Sequence, residues 1–221
     1  MADFVPGLEN GNAPTAAHVK ERIAPSSDQQ LYDVFYAKGH RVYQCNPEKT
    51  RFEHWKNVQT NGVLYPTKGR NAPFDVEGQE IGQISAAPLN QTQQMSNPID
   101  SILVHYFYPD GSWFSTGKPL MTTSREAGRK ERGEDGTNLD DHLTRSVWTS
   151  TDGYFSHADA VVRLNTLNGS TPPKETCTVK GTVVTKPFTA FFMLYTTPQG
   201  TKALEKERIE WDALVEKTRV A

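Results

Sequence analysis

The sequence carries little net charge and no long apolar run, and both absences narrow its range of partners. Its formal net charge is −2, so we expect no long-range field that would recruit nucleic acid or an anionic membrane. No run approaches the roughly 18 apolar residues of a membrane-spanning helix. The N-terminal segment 1–22, as written, lacks the apolar core of a signal peptide. From these residues the location stays open between the cytoplasm and secretion after removal of a leader.

Cysteine is almost absent, because only Cys45 and Cys177 occur and they lie far apart in the chain. No Cys-x-x-Cys motif and no Cys/His spacing typical of structural zinc is present. A bridge between the two cysteines would close a long loop, worth roughly 4–5 kcal/mol in the chain-entropy model. Two buried free thiols, the usual state in the cytosol, are the alternative. Spacing alone does not decide between them.

Motifs for nucleophilic or nucleotide chemistry are missing as well. The chain has no G-x-S-x-G, no phosphate-binding loop and no G-x-G-x-x-G. These absences give no support to a nucleotide-dependent activity, and we predict no cofactor and no metal site.

Short β-rich segments separated by turn residues fill the middle of the chain. Apolar and polar residues begin to alternate at Gln30, and a strong turn signal occurs at 109–112. This pattern predicts an all-β, mainly antiparallel domain, either a sandwich or a barrel. We predict a hairpin over Gln30–Cys45 that turns at 37–40, and strands at 52–56, 62–66, 74–76, 80–84, 101–108, 112–115, 147–150, 154–165, 179–184 and 188–196.

The two ends of the chain differ from this β domain. Residues 1–27 are rich in Ala, Pro, Gly and Asn and are interpreted as an extended arm, followed by the β domain at 28–197. Residues 198–221 have the composition of a helix, with Trp211 and Leu214 at helical spacing. We predict an amphipathic C-terminal helix that packs these two side chains on the sheet or, in a homo-oligomer, on a second copy of the chain.

Several motifs between Leu31 and Tyr195 occur in an order that resembles a known family. The matching residues are Ala37-Lys38-Gly39, Tyr43-Gln44-Cys45, the set Asp75, Gly78, Ile81 and Gly82, then Asp110-Gly111-Ser112, the run 162–169 with Pro172-Pro173 and Cys177, and the run 188–195. Together they resemble the domain of unknown function 3455 group, a family of uncharacterised microbial and fungal proteins. Its members are often labelled malate dehydrogenase, a label that finds no support in the motifs of this chain.

The resemblance implies a mostly β, secreted protein with no established catalytic residues to transfer. It also implies that Cys45 and Cys177 occupy the two cysteine positions of the family and form a disulfide. Asn168-Gly169 can adopt positive φ at little cost, and Pro172-Pro173 stiffens the path to the second cysteine. Gln83 follows Gly82 where the family usually has a histidine nearby, so no role that needs this histidine is expected.

Two sets of residues are candidates for function. His105, His157 and Asp159 are the candidate catalytic residues, since His157 and Asp159 would share one face of a strand and could form a His–carboxylate pair or supply two metal ligands. Solvent-facing histidines and a surface ion pair are the plainer interpretation. Aromatic side chains that could line a concave mouth between sheets, and that suit a sugar or another flat ligand, are Trp55, Tyr106, Tyr108, Trp113, Trp148 and Tyr154. Core packing is the plainer interpretation of most of these.

The sequence therefore favours a non-catalytic β protein that binds a small molecule or a carbohydrate. The alternative is a small cofactor-independent or metal-assisted enzyme with a His/Asp site in a cavity of the β domain. The two hypotheses differ in whether His105 and His157 converge in one cavity.

Overall fold

The computed structural model describes residues 13–19, 21–49, 54–67, 79–88, 102–117, 119–122 and 138–220. Its strands and its long helix are β1 (Gln30–Cys45), β2 (Trp55–Pro66), β3 (Gly82–Pro88), β4 (Ile102–Phe107), β5 (Trp113–Thr116), β6 (Met121–Thr122), β7 (His142–Thr149), β8 (Ala160–Asn168), β9 (Val183–Thr196) and α1 (Pro198–Val220). Short 3-10 helices span Ala16–His18, Glu21–Ile23, Tyr154–His157 and Lys174–Thr176. The strand predicted at 74–76, with Asp75 and Gly78 of the resemblance, lies outside the described residues. Within the described residues, no helix is both long and apolar enough to cross a membrane.

The strands form one sheet that closes on itself. Their order is β5-β4-β3-β2-β1-β9-β8-β7-β6, and every pairing is antiparallel. A further ladder joins β5 to β7, so that eight strands have neighbours on both sides while the two-residue β6 borders β7. The prediction of an all-β fold is confirmed, and the observed architecture is a closed barrel of eight strands.

The first strand is longer than its sequence suggests. A hairpin turning at 37–40 was the expectation, and this is wrong, because β1 runs unbroken through these residues and pairs with β2 on one side and β9 on the other. Gly39 lies opposite Gly62 and Phe188 in these ladders. A side chain at Gly39 would meet the Phe188 ring within 2.7 Å. The glycine is needed for close packing inside the barrel rather than for a turn.

One end of the barrel interior is filled by aromatic rings. Phe155, from the 3-10 helix Tyr154–His157, packs edge-on against Phe35 and Phe114 at centroid distances of 5.5 and 5.2 Å. The Phe155 amide donates to Ser112 Oγ at 2.8 Å, which fixes this segment against the turn between β4 and β5. We call this the closed end. A second cluster covers the outer face of β7, β8 and β9, where Ile23 of the N-terminal arm packs on Leu143 and Val162.

The opposite end carries the covalent link between early and late strands. Cys45 at the end of β1 is bonded to Cys177, with their Cα atoms 5.4 Å apart, so the predicted disulfide is confirmed. Trp55 packs beside it, and its Nε1 donates to the Pro173 carbonyl at 3.1 Å and to Thr176 Oγ1 at 3.2 Å. We call this the disulfide end.

The turn that leads to Cys177 has the predicted backbone. Asn168 and Gly169 have φ of 62° and 79°. The Gly169 carbonyl accepts a hydrogen bond from the Tyr43 hydroxyl at 2.7 Å, so the turn is fastened to β1. The turn at Asn168-Gly169 is therefore linked to β1 by this hydrogen bond, close to the disulfide that follows it.

The C-terminal helix α1 follows β9 directly and lies against the closed end. His157 Nε2 and Glu207 Oε1 are 2.8 Å apart, and Thr201 Oγ1 donates to Gln30 Oε1 at 3.1 Å. The helix is confirmed, and Trp211 is half-buried. Leu214 is 54% exposed, so the expectation that it packs on this chain's own sheet is wrong. Its packing on a second copy stays a prediction.

Candidate functional site

Four aromatic side chains lie together on the outer face of the barrel at β4, β5 and β7. We call this group the aromatic surface, and it consists of His105, Phe107, Trp113 and Trp148. Successive side chains of a strand point to opposite faces. Since Tyr106 and Phe114 belong to the interior core, their strand neighbours point outward. Alternation thus places His105, Phe107 and Trp113 on the outer face, and Trp148 of β7 joins them because it pairs with Ser115 of β5.

Three rings of the aromatic surface lie close together. The His105 ring stacks on Phe107 of the same strand at 6.1 Å between centroids and 18° between planes, and lies 6.2 Å from Trp113 on the neighbouring strand. In the β4–β5 ladder, Phe107 pairs with Trp113 and His105 with Ser115, and in the β5–β7 ladder Ser115 pairs with Trp148. Phe107 is 41% and Trp148 54% exposed, so both of these side chains are open to solvent.

The positions next to the aromatic surface are polar but uncharged. Gln83 and Ser85 of β3 lie opposite Phe107 and His105 in the β3–β4 ladder. Ser115 is fully buried, and its hydroxyl donates to the Trp148 carbonyl at 3.4 Å. None of the residues that these ladders place beside the rings is Asp, Glu, Lys or Arg. An environment of uncharged polar side chains suits a neutral ligand with hydroxyl groups.

Two of the six predicted ligand-binding residues, Trp113 and Trp148, belong to the aromatic surface. The other four are found elsewhere: Tyr106 stacks on Phe114 at 4.4 Å, Tyr108 and Tyr154 contact each other at 5.0 Å near the closed end, and Trp55 lies at the disulfide end. These four are packed mainly against protein, as the plainer interpretation holds. A role of any of the six in binding stays a prediction.

The three predicted catalytic residues are not brought together. His157 lies in a 3-10 helix rather than a strand and pairs with Glu207 of α1, so it shares no strand face with Asp159. Asp159 accepts a hydrogen bond from the Gln29 side chain, and His105 belongs to the aromatic surface. No hydrogen bond joins any two of these three described residues. Across the described part of the chain, no group of three or more His, Cys, Asp or Glu side chains is placed to hold a metal ion.

A pair of arginines inside the barrel is a feature that the sequence analysis missed. Arg41 lies between Gly39 and Tyr43 on the inward face of β1, and Arg163 is the inward neighbour of Val161 on β8. His142 is directly opposite Arg163 in the β7–β8 ladder. The sequence signal for this pair is an arginine in each of two apolar strands, at a position where alternation predicts an inward-facing side chain.

Burial shifts the pKa of each of these groups. It lowers the pKa of Arg163 to about 10, with the charge of Arg41 acting in the same direction and Tyr106, Asp141 and Asp140 opposing it. Burial likewise lowers the pKa of Arg41, and it raises the pKa of Tyr106 to about 12. The pKa of His142 lies well below its usual value, first because of burial and then because of the two arginines. His142 is therefore neutral at physiological pH.

These features define the class of the protein as a closed, eight-stranded antiparallel barrel fastened by one disulfide, with an aromatic surface outside and a pair of arginines inside. A family model described as a protein of unknown function, DUF3455, matches residues 25–196, and the chain belongs to this family. Comparisons with curated proteins and with solved structures gave no match.

Proposed function

We propose that the protein is a non-catalytic carbohydrate-binding protein whose ligand is a neutral oligosaccharide held on the aromatic surface. The supporting observation is the outward-facing group of His105, Phe107, Trp113 and Trp148 on adjacent strands, in which Phe107 and Trp148 are exposed. Aromatic faces carry partial negative charge and attract the partially positive edges of a neighbouring group, as the C–H face of a sugar ring provides. The uncharged neighbours Gln83 and Ser85 offer hydrogen bonds to hydroxyl groups.

The properties of the surface favour a sugar over other occupants. Stable protein–protein interfaces bury about 800 Å² on each partner and involve roughly 20–30 residues a side, far more than this array. Single-stranded nucleic acid also stacks on aromatic rings, but it requires a basic groove, and the ladders place no Lys or Arg beside these rings.

Substitution of the tryptophans tests the proposal. We expect Trp148→Ala and Trp113→Ala to weaken binding of a neutral oligosaccharide by about tenfold each, because loss of one stacking partner costs about 1–1.5 kcal/mol. Intrinsic tryptophan fluorescence and calorimetry of the folded protein against a panel of neutral oligosaccharides measure the affinity. Leu214→Ala is the matched control, because Leu214 is exposed to the same 54% as Trp148 but lies on α1.

The proposal fails if the wild-type protein binds no member of the panel, or if Trp148→Ala and Leu214→Ala bind equally well. Binding by a protein partner that is lost in Trp148→Ala would instead identify the surface as a protein interface.

Secretion is part of the same proposal. The Cys45–Cys177 disulfide supports it, because structural disulfides persist mainly in oxidising compartments. Thiol alkylation of the protein isolated from its source, followed by mass spectrometry, tests this. Recovery of both cysteines as free thiols in a cytoplasmic fraction would contradict it.

A further inference from the structure

The second candidate site lies in the interior of the barrel, near the disulfide end. It shares no residue with the aromatic surface. It is built around Arg41 and Arg163, which interact electrostatically in the interior. Burying like charges together is costly unless each has partners. The hydrogen bonds of the two guanidinium groups show which of their N–H donors have partners.

Arg41 is held rigidly by its neighbours. Its guanidinium carbon lies 5.2 Å from the centroid of the Tyr43 ring, in a cation–π contact. The orientation of the Asn57 amide that satisfies both of its ends directs its oxygen to Arg41, at 3.3 Å from Nε and 2.9 Å from Nη2. These partners are neutral, so the charge of Arg41 is positioned but not neutralised by them.

Arg163 is less completely satisfied. Its Nη2 donates to the Asp140 backbone carbonyl at 2.6 Å. Its Nε is buried and has no hydrogen-bond partner among the described residues. A buried donor without an acceptor is rare in native proteins and costs about 1–3 kcal/mol. The Nε–H of Arg163 is therefore available for an acceptor supplied by a ligand.

Charged residues of both signs lie near the pair. Lys186 pairs with Arg41 in the β1–β9 ladder and is half-buried. Asp140 and Asp141 precede β7, and their charges act on Arg163 in the direction opposite to that of Arg41. Asp141 also accepts a hydrogen bond from the Asn165 amide at 3.0 Å.

The residues around the pair are not completely buried. Arg41, Asn57, His142 and Arg163 point inward, and each keeps a minor part of its surface exposed, although the Arg163 Nε atom itself is buried. In contrast, Phe155 at the closed end is completely buried.

We infer that Arg41 and Arg163 form a binding site for a small anion, a carboxylate or phosphoryl group of a free metabolite, inside the disulfide end of the barrel. Planar guanidinium groups match both oxyanions with paired, charge-assisted hydrogen bonds. The anion supplies an acceptor for Arg163 Nε–H and offsets the repulsion between the two arginines. The pKa of Arg163 is lowered first by burial and then by the charge of Arg41, so the two guanidinium groups are close enough to repel each other. His142 is neutral there and provides a hydrogen bond without adding charge.

Titration of the full-length protein with inorganic phosphate, and separately with acetate, tests this inference. At constant ionic strength, set with chloride, the ¹H–¹⁵N signals of the arginine Nε groups report on the site. We expect the Arg163 signal to shift and saturate with at least one of the two anions. Saturation at the lower concentration by phosphate or by acetate identifies a phosphoryl or a carboxylate ligand.

Variants locate the site. We expect Arg163→Gln to weaken anion binding by at least tenfold, since hydrogen bonds to charged groups contribute about 1.5–3 kcal/mol. Arg163→Lys should give an intermediate loss, because it keeps the charge and loses the planar fork. Arg145→Gln is the matched control, because Arg145 is an exposed arginine on neighbouring β7. Trp148→Ala should bind the anion like the wild type, so this result is independent of oligosaccharide binding.

The inference is overturned if neither anion shifts the Arg163 signal in the wild type, or if Arg163→Gln binds as the wild type does. An equal loss in Arg145→Gln overturns it too, because that would reveal a diffuse charge effect. If the Arg163 variants do not fold, the wild-type titration alone decides.

Discussion

At the scale of single residues, buried ionisable groups make the free energy of unfolding of the barrel depend on pH. His142 illustrates this, because its folded-state pKa lies well below that of an exposed histidine, owing to burial and to Arg163 and Arg41. Below pH 6.5 the unfolded chain takes up a proton at this position and the folded chain does not. The contribution of His142 to stability is therefore fully present above its unfolded pKa of about 6.5 and is lost as the pH falls below it.

This direction of the pH dependence predicts how His142→Gln differs from the wild type. Between pH 6.5 and pH 5 the wild type should lose up to about 2 kcal/mol more of its free energy of unfolding than the variant does, at about 1.4 kcal/mol per pH unit. Urea unfolding at pH 5, 6, 7 and 8 measures the difference. Thr144→Val, an inward neighbour without a titratable group, should change stability equally at each pH. Parallel pH profiles for the wild type and His142→Gln would contradict the prediction.

At the scale of secondary-structure elements, β1 shows how close packing fixes residue identity. Gly39→Ala would place a methyl group against the Asn61 carbonyl and the Phe188 ring, inside ladders that hold the strand on both sides. We expect a loss of about 1–3 kcal/mol in the free energy of unfolding, the usual cost of overpacking. Gly117→Ala is the control, because among the described residues its methyl group would contact Val147 Cγ2 alone, at 3.3 Å, and it should cost under about 0.5 kcal/mol. Equal unfolding midpoints of the two variants would show that the barrel wall shifts freely at Gly39.

The same strand shows what could be predicted from the sequence and what could not. Alternation revealed the β class and most strand positions, and Asn168-Gly169 revealed a turn, because these signals are local. The continuity of β1 through Gly39 depends on Phe188, far along the chain, and no local signal reports it. The run 154–165 was wrongly predicted as one strand, since Phe155 is drawn into the core and its segment folds as a 3-10 helix.

The candidate site was predicted in part for a related reason. Trp113 and Trp148 were identified by residue type, whereas Phe107 and the arginines were not. On β8 and β9 both faces are buried, one by the interior and one by the N-terminal arm with Ile23. Alternation between apolar and polar residues is then weak, and it does not reveal that Arg163 faces inward.

At the scale of the whole molecule, the barrel has two unlike ends. Phe155 and α1 occupy the closed end, where Phe155 is completely buried and His157 pairs with Glu207. The opposite end carries the Cys45–Cys177 disulfide. Because the aromatic surface lies on the outer wall and shares no residue with the arginine pair, we expect the proposed sugar and the proposed anion to bind without competing for the same side chains.

The disulfide is a long-range covalent restraint on the barrel, because it joins residues separated by 132 positions. A cross-link that closes so long a loop removes conformations chiefly from the unfolded chain, and the chain-entropy model assigns it about 5 kcal/mol. We therefore expect Cys45→Ser/Cys177→Ser to lower the free energy of unfolding by up to this amount, with a larger urea m-value because its unfolded state is more expanded. Addition of a reductant should destabilise the wild type and leave the double variant unchanged. A loss under about 1 kcal/mol would mean that residual structure already restrains the unfolded chain, so that the barrel, rather than the disulfide, keeps the two ends of the chain in register.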